Sequence, residues 1–252
     1  MKTDIKNENV IEVRGLVTGY GRTKALDDVS FDLEKGLIHA VIGTSGCGKT
    51  TLLKNMLGLM QYKSGSVKVL GTEINDQTEV VVNKVRERTG VLFQRGALLN
   101  SMTVAENVAL PFLLHRNMAA DDVASEVEEL LKQVGLSGAG KKMPTELSGG
   151  MIKRAALARA LAIKPEILFC DEPSAGLDPV TTRGIDELLL SLRKETGMTV
   201  VIVTHDLDSI SRIADRVLFL FNRSLLFHGT AADAMNSGHE PIQAFFRREA
   251  AC

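Results

Sequence analysis

The chain has 252 residues, of which 44% are hydrophobic and 24% charged, and its formal net charge is −1. This composition is typical of a globular protein with a substantial core, and the balanced charge makes a nucleic-acid partner unexpected. The three cysteines, Cys47, Cys170 and Cys252, are widely spaced and odd in number, which argues against a disulfide framework or a zinc site.

In chain order, the N-terminal segment MKTDIKNENV is polar and lacks the apolar centre of a signal peptide. Residues 10–17 and 29–33 mix apolar and polar side chains, as an edge or half-buried strand does. Residues 37–42 (LIHAVI) predict a buried strand, which a glycine loop joins to a helix over 49–59. Residues 90–94 predict another short buried strand. No stretch approaches the ~20 apolar residues of a membrane span, so we expect the chain to be soluble by itself and to reach a membrane only through a partner.

The block from about 95 to 150 is predicted to be mostly helical, with an apolar stripe over 121–134. A clear helix over 149–163 follows and ends before Pro165. Beyond it the pattern predicts strands over 166–170, 198–204, 216–221 and 225–227, and helices over 180–195 and 207–214. Buried strands separated by helices favour a mainly parallel sheet with covered faces, which the helical block interrupts. Near the C-terminus, Ile242, Phe245 and Phe246 are expected to pack on the domain or on a second copy.

The loop after the strand over 37–42 has the sequence GTSGCGKTT and fits the phosphate-binding pattern G-x-x-x-x-G-K-[ST]. Its glycines allow successive N–H groups to face an anion, and the following helix adds its positive end. Lys49 supplies a charge for the β- and γ-phosphates, and Thr50 a hydroxyl for Mg²⁺. We predict these phosphate-binding residues: Gly43, Thr44, Ser45, Gly46, Cys47, Gly48, Lys49, Thr50 and Thr51. Thiol modification of Cys47 is expected to block nucleotide binding.

Two further motifs carry chemistry. The apolar run ILFC ends in Asp171, predicted to hold Mg²⁺ through water, and Glu172, predicted to accept a proton from the attacking water or to orient it. Ser148 is a good N-cap for the helix over 149–163. Capping does not explain Gly149 and Gly150, because paired glycines cost helix stability unless something approaches the backbone closely, and phosphate suits such a helix start.

The order of GTSGCGKTT, LSGGM, ILFCDEP and SAGLD, together with Tyr20, Gln94 and His205, resembles the ABC transporter ATPases over nearly the whole chain. The resemblance implies an α/β fold in a single domain over 1–252. Its parts are a RecA-like parallel core of the P-loop NTPase type, an N-terminal antiparallel β element and a helical subdomain inserted at about 95–150. It also implies an ATP-hydrolysing subunit with ATP and Mg²⁺ as cofactors. The resemblance implies further that two copies close head to tail and drive a membrane permease from the cytoplasmic face of the inner membrane.

The resemblance further implies roles for single residues outside the phosphate loop. Tyr20 stacks on adenine, and Gln94 contacts Mg²⁺ or the attacking water and senses the membrane subunit. Residues 148–150 contact the γ-phosphate of ATP held by the opposite protomer. Asp178 crosses the dimer interface, and His205 contacts the γ-phosphate.

One departure points to a branch of the family. Met151 replaces the last residue of the commonest signature, LSGGQ. LSGGM and the stretch FQRGALLNSMTVAENVALP are similar to ATPases of Mla and Mce-type lipid transport systems, which implies lipid cargo and an MCE-type lipid-binding subunit as a possible partner. A small-solute (amino-acid type) importer and a cell-division-type ATPase that moves no substrate stay open. Four apolar residues of this stretch are predicted either to contact the membrane subunit or to belong to the core of the helical block: Ala97, Leu98, Leu99 and Met102.

Overall fold

The computed structural model describes residues 8–75, 77–115 and 118–247. The chain divides into two compact units, which we name unit 1 (residues 1–85 and 198–252) and unit 2 (residues 86–197). The predictions for the first seven residues of the N-terminal segment and for Cys252 lie outside the described residues.

Unit 1 contains an antiparallel sheet of four strands in the order β2-β1-β4-β5. Its strands are β1 (Asn9–Tyr20), β2 (Thr23–Glu34), β4 (Ser64–Val69) and β5 (Thr72–Glu73). Val13 of β1 pairs with Phe31 on one side and Val67 on the other, and all three are buried. β1 is therefore an inner strand, so the edge-strand alternative is wrong for residues 10–17, whereas residues 29–33 lie in β2, an edge strand of this sheet. The half-buried pattern and the N-terminal antiparallel element are confirmed.

A second sheet supplies the buried strands of unit 1. β3 (Ile38–Gly43) pairs in parallel with β8 (Thr199–Val203) and β9 (Arg216–Phe221), and β10 (Ser224–Gly229) is antiparallel to β9. Every residue of β3 and β8 is buried, as expected for strands covered on both faces. Unit 1 also holds α1 (Lys49–Met56), α7 (Leu207–Ile213), α8 (Ala231–Met235) and α9 (Glu240–Phe246), and α2 (Glu79–Arg86) ends at the unit boundary.

The C-terminal aromatic residues complete a core of unit 1. Ile242 is fully buried in a cluster with Phe219, and Phe245 and Phe246 pack against this cluster. The rings of Phe219 and Phe245 meet edge to face, with centroids 5.4 Å apart. The predicted packing of these residues on the domain is confirmed.

Unit 2 is built around one central helix. Its elements are the parallel pair β6 (Thr89–Leu92) and β7 (Ile167–Asp171), and the helices α3 (Val104–His115), α4 (Ala120–Gln133), α5 (Gly149–Leu161) and α6 (Pro179–Thr196). α5 packs against the other three helices and against β6. The approach to β6 is close, because a Cβ added to Gly90 would lie 2.6 Å from the carbonyl oxygen of Ala160. α4 buries the predicted apolar stripe.

Both ends of α6 are set by residues that favour helix termini. Asp178 is the N-cap, Pro179 occupies the first turn, and Gly197 ends the helix with a φ of 71° that suits glycine. None of the helices in the described ranges combines the length and apolar character needed to cross a bilayer. Parallel strands in both units and an antiparallel sheet in unit 1 confirm the α/β class.

Candidate functional site

The glycine loop of unit 1 follows the carboxyl end of β3 and requires its glycines. Gly43, Gly46 and Gly48 have φ values of 142°, 76° and 105°, which side chains strain to adopt. A Cβ on Gly43 would lie 2.1 Å from the carbonyl oxygen of Leu220, so no larger residue fits without backbone movement. The sequence therefore folds here into the tight strand-to-helix turn that the phosphate-binding pattern predicts.

The start of α1 leaves its first N–H groups available. Gly48 is the N-cap and no side chain caps the helix, so the positive helix end faces outward. Lys49 Nζ donates to the carbonyl oxygens of Gly43 and Thr44, both at 2.9 Å. Ser45 and Thr50 are exposed, whereas Thr51 is buried. The loop thus combines a lysine cation, a hydroxyl and a helix end at one edge of the sheet.

Cys47 turns its side chain into the fold. The residue is 5% exposed, and its thiol lies 3.8 Å from Lys49 Nζ. Burial raises the pKa of the Cys47 thiol, although the charge of Lys49 opposes the shift. The backbone N–H of Cys47 donates to the carbonyl oxygen of Thr44 at 3.3 Å. The prediction that thiol modification blocks nucleotide binding therefore concerns a group with little thiolate and little access.

Two other predicted residues belong to unit 1. Tyr20, at the end of β1, is 58% exposed, and its hydroxyl accepts a 3.5 Å hydrogen bond from Lys54 Nζ. Its ring is thus accessible for stacking. His205 is also exposed and lies between the end of β8 and Asp206, the N-cap of α7.

The acidic pair of unit 2 lies at the carboxyl end of β7. Asp171 is the last residue of the strand, and Glu172 follows it with a φ of 48°, a left-handed conformation that is uncommon for glutamate. Both residues are partly exposed. The Glu172 carbonyl oxygen accepts a hydrogen bond from the N–H of Ala175 at 3.2 Å. A strained residue held by its surroundings is a frequent feature of functional sites.

Gln94 lies just beyond the end of β6, the strand parallel to β7. Its side chain is exposed. The segment after it is held by Arg159 of α5, which donates to the carbonyl oxygens of Gly96 and Ala97 at 2.8 and 2.7 Å. Ala97 has a φ of 52°, so this anchoring fixes another left-handed residue.

Lys153 also belongs to this site, although it is part of none of the sequence motifs described above. The residue is 4% exposed, and its Nζ donates to the carbonyl oxygens of Gln94 and of Glu172, the latter at 2.9 Å. Burial lowers the pKa of Lys153, whereas the nearby Cys170 and the two acids raise it. The available signal was a lysine among the alanines and leucines of the helix over 149–163.

The signature residues form the start of α5. Ser148 is the N-cap and its Oγ accepts from the N–H of Met151 at 3.3 Å, as predicted. Ser148 and Gly149 are exposed, but Gly150 is buried. A Cβ on Gly150 would lie 2.5 Å from Cγ2 of Thr181. Packing inside unit 2 therefore explains Gly150 without a ligand, which the sequence argument did not foresee.

Asp178 has a well-defined local partner set. Its carboxylate accepts from the N–H groups of Val180 and Thr181, both at 3.0 Å, and from the Thr181 hydroxyl at 2.5 Å. The Thr181 hydroxyl bond is the main cause of a lowered Asp178 pKa. The side chain is exposed, so capping α6 leaves it accessible to a partner.

A groove of about 550 Å³ lies between the starts of α5 and α6. Its lining includes Ser148, Gly150, Met151, Val180 and Thr181. The N-terminal end of α5 in this region favours an anionic group, whereas the first N–H groups of α6 already bond to the Asp178 carboxylate. Met151 contributes an apolar side chain to this lining.

Apolar residues are also exposed on unit 2. Leu99 is 46% exposed, and Leu113 and Leu114 of α3 are 69% and 72% exposed. Ala97 is exposed, and Leu98 and Met102 are half-buried, so none of the four residues of the predicted permease contact belongs to the buried core. Leu113 and Leu114 were missed because the run VALPFLL gives no periodic indication of which side faces outward.

The predicted site residues are divided between the units. Unit 1 carries Tyr20, the loop over 43–51 and His205, and unit 2 carries Gln94, residues 148–150, the acidic pair and Asp178. The predicted Mg²⁺ ligands offer a hydroxyl, an amide and a carboxylate oxygen, and this donor set suits a magnesium ion. Thr50 is exposed in the first turn of α1, and Asp171 is partly exposed at the strand end, so both can bind an ion.

Comparison with known proteins identifies the family. The family described as ABC transporter matches residues 26–175. A probable ribonucleotide transport ATP-binding protein of Mycobacterium leprae, mkl, is 37% identical over 235 residues, covering 93% of this chain and 68% of that protein. The methionine import ATP-binding protein MetN of Clostridium tetani is 38% identical over 224 residues, covering 89% of this chain and 70% of MetN.

A solved structure agrees with this match. The dimeric post-hydrolysis state of the ATP-binding cassette MJ0796, bound to ADP and Pi, superposes with a TM-score of 0.80 at 30% identity, covering 87% of this chain and 98% of that one. The family match spans more than half of the chain, and the curated relatives exceed 30% identity. The chain therefore belongs to the ABC transporter family and is an ABC-type ATPase.

Proposed function

We propose that two copies of this chain bind two ATP-Mg²⁺ between them, and that residues 43–51 of one copy face residues 148–150 of the other. The observation that carries this proposal is the groove of unit 2, which Ser148 and Gly150 line at the start of α5, next to the exposed Gly149. The N-terminal end of a helix such as α5 suits an anion. The dimeric cassette bound to ADP and Pi, which is similar to this chain, also favours it.

In this proposal, each of the predicted residues binds one part of ATP-Mg²⁺. The loop N–H groups, the end of α1 and Lys49 hold the β- and γ-phosphates, and Tyr20 stacks on the base. Thr50, Gln94 and Asp171 hold Mg²⁺, which neutralises charge on the phosphate oxygens when it is bound. The second copy contributes Ser148 and Gly149 through hydroxyl and backbone N–H, Gly150 through its N–H, and Asp178 at the interface.

Hydrolysis requires a water held in line with the γ-phosphate. Glu172 orients this water and accepts its proton, and His205 contacts the γ-phosphate. The backbone of Glu172, just beyond β7, is held by hydrogen bonds from Lys153 Nζ and from the N–H of Ala175 to its carbonyl oxygen, and a catalytic group works best from a fixed position. ATP binding closes the dimer and thereby drives the permease, and hydrolysis reopens the dimer.

The variant Glu172→Gln tests the catalytic assignment. It keeps the shape of the side chain but removes the base, so we expect ATP binding to persist, turnover to fall by about 10²-fold or more, and a closed dimer to accumulate. Glu166→Gln is the matched control, because Glu166 precedes the same strand and forms a 2.6 Å exposed ion pair with Arg88. Near-normal turnover in Glu172→Gln contradicts Glu172 as the base.

We further propose that the permease moves phospholipid or another lipid between envelope membranes, with an MCE-type lipid-binding subunit, and that the chain lies at the cytoplasmic face of the inner membrane through this permease. The support is the resemblance of FQRGAL and LSGGM to ATPases of Mla and Mce-type systems. The competing function is a small-solute importer, and the 38% identity to a methionine import protein favours it.

Partner identity separates the two functions. The full chain is isolated from detergent-solubilised membranes, and its co-purifying subunits are identified by mass spectrometry. An MCE-type subunit and retained lipid agree with lipid transport. A periplasmic amino-acid receptor, with ATPase activity stimulated by that amino acid, contradicts it and favours the importer.

A further inference from the structure

A buried ammonium group joins three parts of unit 2. Lys153 lies on α5, five residues after the N-cap Ser148, and only 4% of its surface is exposed. Its Nζ donates to the carbonyl oxygen of Gln94, beyond β6, and to that of Glu172, beyond β7, the latter at 2.9 Å. One nitrogen therefore fixes the spacing between two backbone segments that end neighbouring parallel strands.

Packing alone does not require a lysine at this position. The other buried side chains of α5 include Ala155, Ala156, Leu157 and Ala158, which need no hydrogen bonds. Burying an ammonium is costly unless acceptors surround it, so the two carbonyl bonds offset a penalty that an apolar residue would avoid. Such a residue is expected where it holds other groups in a required arrangement.

One of the two residues that Lys153 holds, Glu172, has an uncommon backbone conformation. Glu172 has a φ of 48°, and its carbonyl oxygen receives two donors, Lys153 Nζ and the N–H of Ala175. The left-handed conformation directs the Glu172 side chain away from the path that an extended strand would give it. A hydrogen bond to this carbonyl stabilises the conformation directly.

We propose that Lys153 is a positioning residue for ATP hydrolysis. It sets the separation of Gln94 and Glu172 through their backbone carbonyls, and ties both to the helix that starts with the signature residues 148–150. This inference rests on the proposed roles of Gln94 and Glu172 at the attacking water. Lys153 is 4% exposed and bonds to two backbone carbonyls, so in this proposal it acts through Gln94 and Glu172.

The test compares variants in the full chain under ATP-Mg²⁺. Lys153→Met keeps the length of the side chain and removes its donors, whereas Lys153→Arg keeps the charge and offers several N–H donors to two acceptors. The control is Asn107→Ala, since Asn107 is also fully buried and donates to backbone carbonyls, those of Leu99, Met102 and Thr103. The measurements are kcat, KM for ATP, ATP binding and the melting temperature.

We expect Lys153→Met to lower kcat by about 10²-fold with KM and ATP binding changed less than about threefold, because misplacing a catalytic group by ~1 Å has an effect of this size. Lys153→Arg regains most of kcat. Asn107→Ala lowers the melting temperature but leaves kcat within about threefold. A Lys153→Met variant that loses stability and keeps kcat, as the control does, overturns the proposal.

Glu172→Gln separates this proposal from the proposed function. If Glu172→Gln abolishes turnover while Lys153→Met does not, the positioning role is wrong and the role of Glu172 stands. If Glu172→Gln keeps turnover, both are wrong. In the double variant, Lys153→Met adds little to the loss caused by Glu172→Gln, because both act at one step. A further loss as large as in the wild-type background contradicts positioning through Glu172.

Discussion

Replacing Gly150 by alanine tests what the second signature glycine does. The added Cβ would lie 2.5 Å from Cγ2 of Thr181, about 1 Å inside ordinary contact between carbon atoms. Such overpacking costs roughly 1–3 kcal/mol. Alanine is the better helix former by at most about 1 kcal/mol. Taking about 2 kcal/mol, the middle of the overpacking range, we expect a net loss of about 1–2 kcal/mol in the free energy of unfolding, or ~2–8 °C in melting temperature.

A second substitution should reverse this loss. Thr181→Ser removes Cγ2 but keeps the hydroxyl that donates to Asp178. Alone it removes one methyl group and costs about 0.5–1.5 kcal/mol. Combined with Gly150→Ala, the new methyl fills the space of the old one, and the two changes should couple favourably by about 1–2 kcal/mol.

The assays are thermal unfolding and steady-state ATP hydrolysis for both single variants and the double variant. Because the Cβ of residue 150 points toward α6 and alanine keeps the N–H group, the double variant should recover turnover as well as stability. An unchanged melting temperature in Gly150→Ala refutes the packing argument. Recovered stability without recovered turnover shows that the nucleotide itself requires glycine at this position. Gly149→Ala is the contrast, because Gly149 is exposed, and we expect it to lower turnover more than stability.

Three further predictions follow from buried or exposed side chains. Cys47 is 5% exposed with a raised thiol pKa, so maleimide should label it much more slowly in the native chain than in urea; equal rates contradict its burial. Burial lowers the pKa of His39, so the unfolded state binds a proton more readily than the folded state, and the free energy of unfolding should fall as the pH drops below about 6.5. In urea titrations at several pH values, His39→Gln should reduce this dependence of the free energy of unfolding on pH. An unchanged dependence assigns it to other groups. Leu113 and Leu114 are exposed apolar residues, so the double variant Leu113→Ser, Leu114→Ser should keep the melting temperature but reduce co-purification of the permease if the permease binds this part of α3. Unimpaired co-purification shows that these two leucines do not contact the permease.

Motif order and buried strands were predictable because each depends on local sequence. β9 spans the predicted residues 216–221, of which all but Arg216 are apolar, and the glycine loop follows a strand that is buried at every position. β4 and β5 were missed, since SGSVKV and a two-residue strand carry little periodicity. They are specified by pairing with β1, a contact between residues distant in sequence.

The site residues that belong to a sequence motif could be predicted. Those whose identity depends on packing against residues distant in sequence could not. Thr181 is the reason for Gly150, yet the two are separated by 31 positions, and no local pattern connects them. Lys153 similarly joins carbonyls of residues 94 and 172. Every residue has a backbone carbonyl, so the amino-acid sequence does not indicate which carbonyls accept these bonds, and only the structure identifies them.

We propose that each ATP site combines the phosphate loop of one copy with the signature residues 148–150 of another. The most direct measurement mixes Lys49→Ala, which lacks the loop cation, with Ser148→Arg, which blocks the signature, and follows ATP hydrolysis. Each variant alone should be inactive. Mixed equally, half of the dimers are heterodimers with one intact site, so about a quarter of the sites should work. Recovery to a substantial fraction of normal turnover is the predicted result, and a mixture no more active than its separate components contradicts the shared site.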